Sequence, residues 1–263
     1  MPGLVRGGDV VENGAGQHVR IRLPLESLWQ DGPQLVAARH DYLRSQAQGA
    51  QNAIEPTVVI DTEFASFIAA LPDRAIALDL ETCGLAGSAL FLIGLLRQVD
   101  GQSTVELLLA RNYSEEAAIL TSLWQTLADC QVLVTFNGKS FDWPMVIERS
   151  IRHRLPAVGW VPPAQDPAPV QYRTANAHQA MVHVDILHHA RRRWRKHLPN
   201  CRLQTLEWHI CRRRRTGDIP SHCIPAVYAD YVRTGFDRDM DAVLHHNALD
   251  LVTLFDLALR MAA

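Results

Sequence analysis

Beyond about residue 60 the chain alternates between short apolar runs of strand length and longer segments with apolar residues three or four apart. Ala75 to Glu81 (AIALDLE), closed by the breaker Gly84, reads as a strand. Leu90 to Arg97 and Thr104 to Ala110 flank Val99-Asp100-Gly101-Gln102, and Asp-Gly between apolar runs predicts an antiparallel hairpin. Ser114, followed by two glutamates, is the expected N-cap of a helix reaching about Ala128. A short buried strand over Gln131 to Phe136 ends at Asn137-Gly138, and a helix follows from about Phe141 to His153. Met181 to Asp185 is a fifth strand, leading into a basic helix over Ile186 to His197. Short helices are expected over Leu203 to Cys211 and Ile224 to Arg233, joined by a turn at 217–220. In the last helix, about Asp239 to Met261, Leu244, Ala248, Leu251, Phe255 and Ala258 form a core-facing stripe.

Upstream the pattern is weaker. Residues 1–20 are Gly-rich without a sustained period and predict a mobile tail; Leu35 to Gln48 reads as a helix, Asn52 to Pro56 as a linker, and Thr62 to Leu71 as a short helix. This divides the chain into a partly disordered N-terminal extension, 1–55, and one domain over 56–263. Pro156 to Ala180 holds five prolines and no clean period, as expected of a long surface insertion. The order βββ, α, β, α, β then implies an α/β domain with a mixed five-stranded sheet flanked by helices.

Composition narrows the class without changing that picture. Hydrophobic residues make up 48% and charged residues 21% of the 263, which excludes a collagenous or disordered chain. The longest apolar stretch, Ala89 to Leu96, is too short to span a bilayer, and the first 20 residues lack the apolar segment of a secretory signal. Five cysteines, an odd number with no Cys-x-x-Cys pair, indicate no disulfide framework, so the expected home is the cytoplasm, with no membrane partner. Net charge is only −2, but Arg191 to Arg215 contains ten Lys or Arg against one acid, Glu207. That +9 window in an otherwise acidic chain is the footprint of a polyanion-binding face, with a solvated basic helix as the alternative.

Four acids invite chemistry. Asp79 and Glu81, two apart on a strand, leave the same face and repel each other; a divalent cation is the usual compensation, an exposed polar strand edge the alternative. Asp142 follows the second buried strand, where a macrodipole contact would also account for it. Asp250 and His246 share one face of the last helix, with His245 adjacent. Gly138-Lys139-Ser140 is not a P-loop, since that motif needs a glycine where Leu133 stands. His209, Cys211, His222 and Cys223 match no standard zinc spacing. Asp185 reads as a helix N-cap. Asn137 and Lys139, where a strand meets a helix near the acids, are placed to touch phosphate, or serve the turn alone. The tryptophans at 124, 143, 194 and 208 read as core, except Trp194, which interrupts the basic run and suits base stacking. The arginine runs and the lack of sugar platforms speak against a metal-free glycosidase.

Together these segments resemble a known constellation. Asp79-Leu80-Glu81-Thr82-Cys83-Gly84 is similar to the first motif of the DnaQ-like DEDD exonucleases, with Cys83 replacing a threonine. Asn137 to Asp142 is similar to the second motif and His246-Asn247-Ala248-Leu249-Asp250 to the third. FNGKSFDWP, VDILHHARRRWR, CRLQTLE and DIPSHCIPAVYADYVRTG most resemble the YprB-like ribonuclease H-like branch, over roughly residues 74–260. The resemblance implies a ribonuclease H-like fold and a two-metal nuclease, a 3′–5′ exonuclease acting on DNA or RNA. Asp79, Glu81, Asp142 and Asp250 would bind two Mg²⁺ or Mn²⁺ ions. A histidine would act as base: DEDDh spacing selects His245, whereas the YprB-like His-Asn-x-x-Asp pattern selects His246, which is preferred. Asn137, Lys139, Arg192, Arg195, Arg212 and Arg213 are the expected nucleic-acid contacts.

Overall fold

The computed structural model describes residues 3–52, 61–84, 87–155, 171–172 and 181–262. Strands β1 (Asp9–Asn13), β2 (Gly16–Pro24), β3 (Ala75–Thr82), β4 (Leu90–Val99), β5 (Gln102–Leu109), β6 (Val132–Thr135), β7 (Gln171–Tyr172) and β8 (Met181–Asp185) form one sheet in the order β1-β2-β5-β4-β3-β6-β8-β7. The parallel pairs β3–β6 and β6–β8 meet an antiparallel half at β3–β4, the mixed α/β architecture expected. The expected five strands are all present: β3, β4, β5, β6 and β8. The sheet is larger by β1 and β2, and by the two-residue edge strand β7.

The N-terminal residues correct the sequence expectation. Instead of a mobile tail, β1 and β2 make a hairpin whose second strand pairs with β5 from Val19↔Leu109 to Pro24↔Thr104. Val19, Ile21 and Leu23 alternate into the core. A buried carboxylate fixes the register: Glu106 on β5 takes ion pairs from Arg20 and Arg22 at 3.2 Å each and from Arg97 on β4 at 2.8 Å. Strands on both sides of the expected boundary at 55/56 therefore share one sheet. The expected linker at 52–56 lies almost wholly outside the described residues. So does the insertion over 156–180, apart from β7.

The Asp100-Gly101 hairpin is present, with Val99 opposite Gln102 and both turn residues at positive φ. Ser114 is not the cap of the following helix. Asn112 accepts a hydrogen bond from the Ser114 amide (2.9 Å) and starts a 3₁₀ turn, after which α4 runs Glu116–Thr126. In chain order the helices are α1 (Leu25–Leu28), α2 (Gly32–Asn52), α3 (Thr62–Ala70), α4, α5 (Asp142–Arg152), α6 (Ile186–Trp194), α7 (Leu203–Leu206), α8 (Ile224–Thr234) and α9 (Arg238–Met261).

Leu90 to Leu96 of β4 are all buried, Gly94 included, so both faces of the central sheet are covered. The cover over β3 and β4 is α9. This helix is long and apolar enough to cross a membrane by length and composition, but 78% of its most apolar window is buried inside the domain. Its close approach depends on Gly94: a Cβ there would lie 1.8 Å from Asn247 Oδ1 and 2.8 Å from Leu251 Cδ1. We expect Gly94→Ala to push α9 off the sheet and cost roughly 1–3 kcal/mol, read as a lower urea midpoint. An unchanged midpoint would show that the helix does not depend on this contact.

Candidate active site

The carboxylates meet where the central strands end. Asp79 and Glu81 leave the same face of β3, toward α9, while Leu78 and Leu80 are buried on the other side. Strand β6 pairs with β3 only as far as Ala77, which leaves the Leu80 amide free to donate to the Asp142 carboxylate. Asp142 is buried at the start of α5.

Its position depends on the preceding turn. Asn137 adopts the left-handed conformation (φ 66°), and a Cβ at Gly138 would lie 2.3 Å from Thr135 Oγ1, so the pair Asn-Gly is required. Buried Asp185 clamps this turn. It accepts from the Asn137 amide (2.8 Å), the Lys139 amide (3.1 Å) and the Leu187 amide (3.1 Å), the last as the expected cap of α6.

Helix α9 brings the third group. Asn247 Nδ2 donates to Asp79 Oδ2 at 2.7 Å and also lies against Glu81. His246 is buried, with Nδ1 2.7 Å from Asp218 Oδ1 and Nε2 3.4 Å from Asp250 Oδ2. The other Asp250 oxygen lies 2.6 Å from Arg215 Nη2. Arg215, with its side chain only 7% exposed, also reaches Glu207 (2.6 Å) and Asp218 (3.3 Å). Glu207 in turn accepts from Thr253 on α9 at 2.9 Å.

These acids are short of positive charge. Burial, then repulsion from Asp250, Glu81 and Asp142, pushes the Asp79 carboxyl well above its ordinary range. Burial and Asp250 lift Glu81 to about 8, against the hydrogen bond from Asn247. Burial lifts Asp142 to about 7. A set of hard oxygen donors held this way suits Mg²⁺ or Mn²⁺.

The expected phosphate contacts divide. Arg195 and Arg212 are exposed, and Arg192 is exposed while reaching Asp61 (3.6 Å) and His189 (2.6 Å). Arg213 is half-buried. It pairs with Asp256 at 3.0 Å and lies over the Trp29 ring, 4.6 Å from its centroid, so its charge is already engaged within the fold. Lys139 is likewise paired, 2.8 Å from Glu63. Asn137 serves the turn through its backbone.

Sequence reasoning missed several partners. Asp218 and Arg215 lie in a loop whose return to α9 no local period announces. Asn247 could have been read from its place between His246 and Asp250. Asp61, Glu63 and His189 offer three ligand atoms within 4.8 Å of one another. Lys139 and Arg192 already stand against that group, and the hydrogen bonds from His189 and Lys139 hold Glu63 down to about 2 despite its burial.

An α/β sheet of this topology, with acids from β3, α5 and α9 at one end, defines a ribonuclease H-like domain. The chain belongs to the RNase_H superfamily: the RNase_H_2 family model matches residues 76–262. Within it the chain is YprB-like. It is 32% identical to the uncharacterized protein YprB of Bacillus subtilis (strain 168) over 189 residues, 70% of this chain and 41% of that one. The chain thus spans about two fifths of that relative's length. A family B DNA polymerase from the hyperthermophilic archaeon Pyrobaculum calidifontis overlays with TM-score 0.49 and 15% identity, covering 71% of this chain and 24% of that one.

The raised carboxylates set a pH dependence. An unfolded glutamate titrates near 4.3, whereas folded Glu81 titrates at about 8. Between those values the unfolded chain has lost a proton that the fold retains, so stability falls as pH rises. Asp142 acts with the same sign up to about 7. Buried His18 and His183, held at about 4 and about 3, act oppositely below pH 6.5, so the clean comparison is with Glu81→Gln. In EDTA, that variant should melt higher than the wild type at pH 8.5 and nearly equal to it at pH 5. Melting curves that stay parallel across this range would contradict the assigned repulsion.

Proposed function

We propose that this domain is a metal-dependent nuclease of the DEDD type that hydrolyses phosphodiester bonds of nucleic acid, DNA or RNA, from the 3′ end. The observation that carries the reading is the convergence of Asp79, Glu81, Asp142 and Asp250 with His246 at one end of β3, their like charges largely uncompensated. The four acids would hold two Mg²⁺ or Mn²⁺ ions, which would activate water and stabilise the leaving oxygen.

The remaining steps belong to the chain's own side chains. His246 Nε2 faces the cluster and takes the proton of the attacking water, while Asp218 holds the ring from behind through Nδ1. Asn247 orients Asp79. Arg215 keeps Asp250 in place and shares its charge with Glu207 and Asp218. The exposed cations Arg191, Arg192, Arg193, Arg195 and Lys196 line one groove at the end of α6, a surface suited to a phosphate backbone. All five cysteines are free, in keeping with a cytoplasmic site of action.

The decisive assay uses single- and double-stranded DNA and RNA labelled at either end, with Mg²⁺, Mn²⁺ or EDTA. Metal-dependent laddering from the 3′ end is expected, abolished by Asp79→Ala and by Asp250→Asn with binding retained. Cleavage surviving in either variant would refute the assignment. Binding with no cleavage under any metal would mark a non-catalytic nucleic-acid module on the same fold.

Asp218→Asn should lower kcat by about 10- to 100-fold with KM little changed, the usual effect of losing a partner that orients a catalytic side chain. A kcat equal to wild type would remove Asp218 from the mechanism.

A further inference from the structure

The turn between α7 and the arginine run carries an aromatic ring that the catalytic reading leaves unused. Glu207–Cys211 is a π-helical turn ending at Arg212, whose φ is 58°. Glu207 and Cys211 are buried, but Trp208 between them is 50% exposed. Such turns recur at functional sites, and an indole left half in water contributes little to a core. Trp194, the sequence's own candidate for stacking, instead packs against the hydrophobic core.

The neighbouring charge has the same character. In the run 212–215, Arg213 and Arg215 turn inward to acids, while Arg214 is exposed and makes no ion pair among the described residues. Its guanidinium lies over the Trp208 ring, 5.5 Å from the centroid. Trp208, Gln204 and Arg214 line a groove of about 510 Å³ together with Arg215 and Asp218. Those last two residues touch Asp250 and His246, so the groove adjoins the carboxylate cluster. Its volume falls within the roughly 300–1,000 Å³ of ordinary ligand clefts.

Resting on the nuclease reading, we propose that Trp208 and Arg214 form a stacking platform for an unpaired nucleobase, so that the strand entering the site is single-stranded at that position. A planar indole backed by a cation presents a face to any base, whereas a base within a duplex has no free face to offer. Arg214 then meets the flanking phosphate.

The test measures binding of labelled single-stranded oligonucleotides by anisotropy, with Ca²⁺ in place of Mg²⁺, for the full chain and its variants. Trp208→Ala should weaken binding of the intact strand about 5- to 100-fold, and Trp208→Phe should retain most of it. Oligonucleotides carrying one abasic residue are then scanned position by position. At one position the wild type should lose a similar factor, while Trp208→Ala loses nothing further. Equal losses in both proteins at every position, or wild-type affinity in Trp208→Ala, would overturn the platform. Equal sensitivity to Trp208→Ala on a blunt duplex would overturn the single-strand assignment. A wild type that binds no nucleic acid would instead refute the nuclease reading itself. Because Trp208 is exposed, matching melting curves would show that each variant is folded.

Discussion

Placing Asp79 and Glu81 side by side on a buried strand, and then closing Asp142 and Asp250 over them, is electrostatically unfavourable; much of the nearby structure offsets that cost. The offset is local and partial. Asn247 offers a neutral donor, the Leu80 amide serves Asp142, and Arg215 pairs with Asp250 while sharing its charge with Glu207 and Asp218. Each of these requires a specific approach of backbones. Gly94 lets α9 close on the sheet, the early end of the β3–β6 pairing frees the Leu80 amide, and Asp185 holds the turn ahead of Asp142.

The basic window shows why charge along a sequence is a poor map of charge on a surface. Its +9 reads as one polyanion-binding face, yet Arg213 and Arg215 spend their charge on Asp256, Glu207, Asp218 and Asp250. Period-two orientation along 212–215 splits four adjacent arginines into two that hold the fold and two that face solvent. The field available to a phosphate backbone comes mainly from α6 and the residues after it, with Arg214 on a separate rim.

What could be read from the sequence was whatever local period or chemistry enforces. The Asp100-Gly101 turn, the apolar run of β3 and the stripe of α9 are each dictated within a few residues, and all are present. The β1–β2 hairpin was legible too: His18 to Leu23 alternates polar and apolar, but the glycines around it obscured the signal. Among site residues, the three acidic motifs carried Asp79, Glu81, Asp142 and Asp250 because each sits within a regular element whose own pattern marks its place. Asp218 and Arg215 were not legible, since their importance comes from where an irregular loop returns. The ion pair of Arg213 was not legible for the same reason, its partner Asp256 lying six residues further along α9 than Asp250.

That loop joins two roles in one stretch of chain. From Glu207 to Asp218 its inward side chains fasten Thr253, Asp250 and His246 on three successive turns of α9, while its outward ones, Trp208 and Arg214, form the rim of the adjoining groove. A rim built on residues one removed from α9 cannot shift far without disturbing Arg215 and Asp218, because interior packing leaves little slack. On the proposed nuclease reading, a base resting on Trp208 would therefore be held at a fixed offset from the carboxylates, which is the geometric requirement for cutting one defined bond rather than any bond within reach.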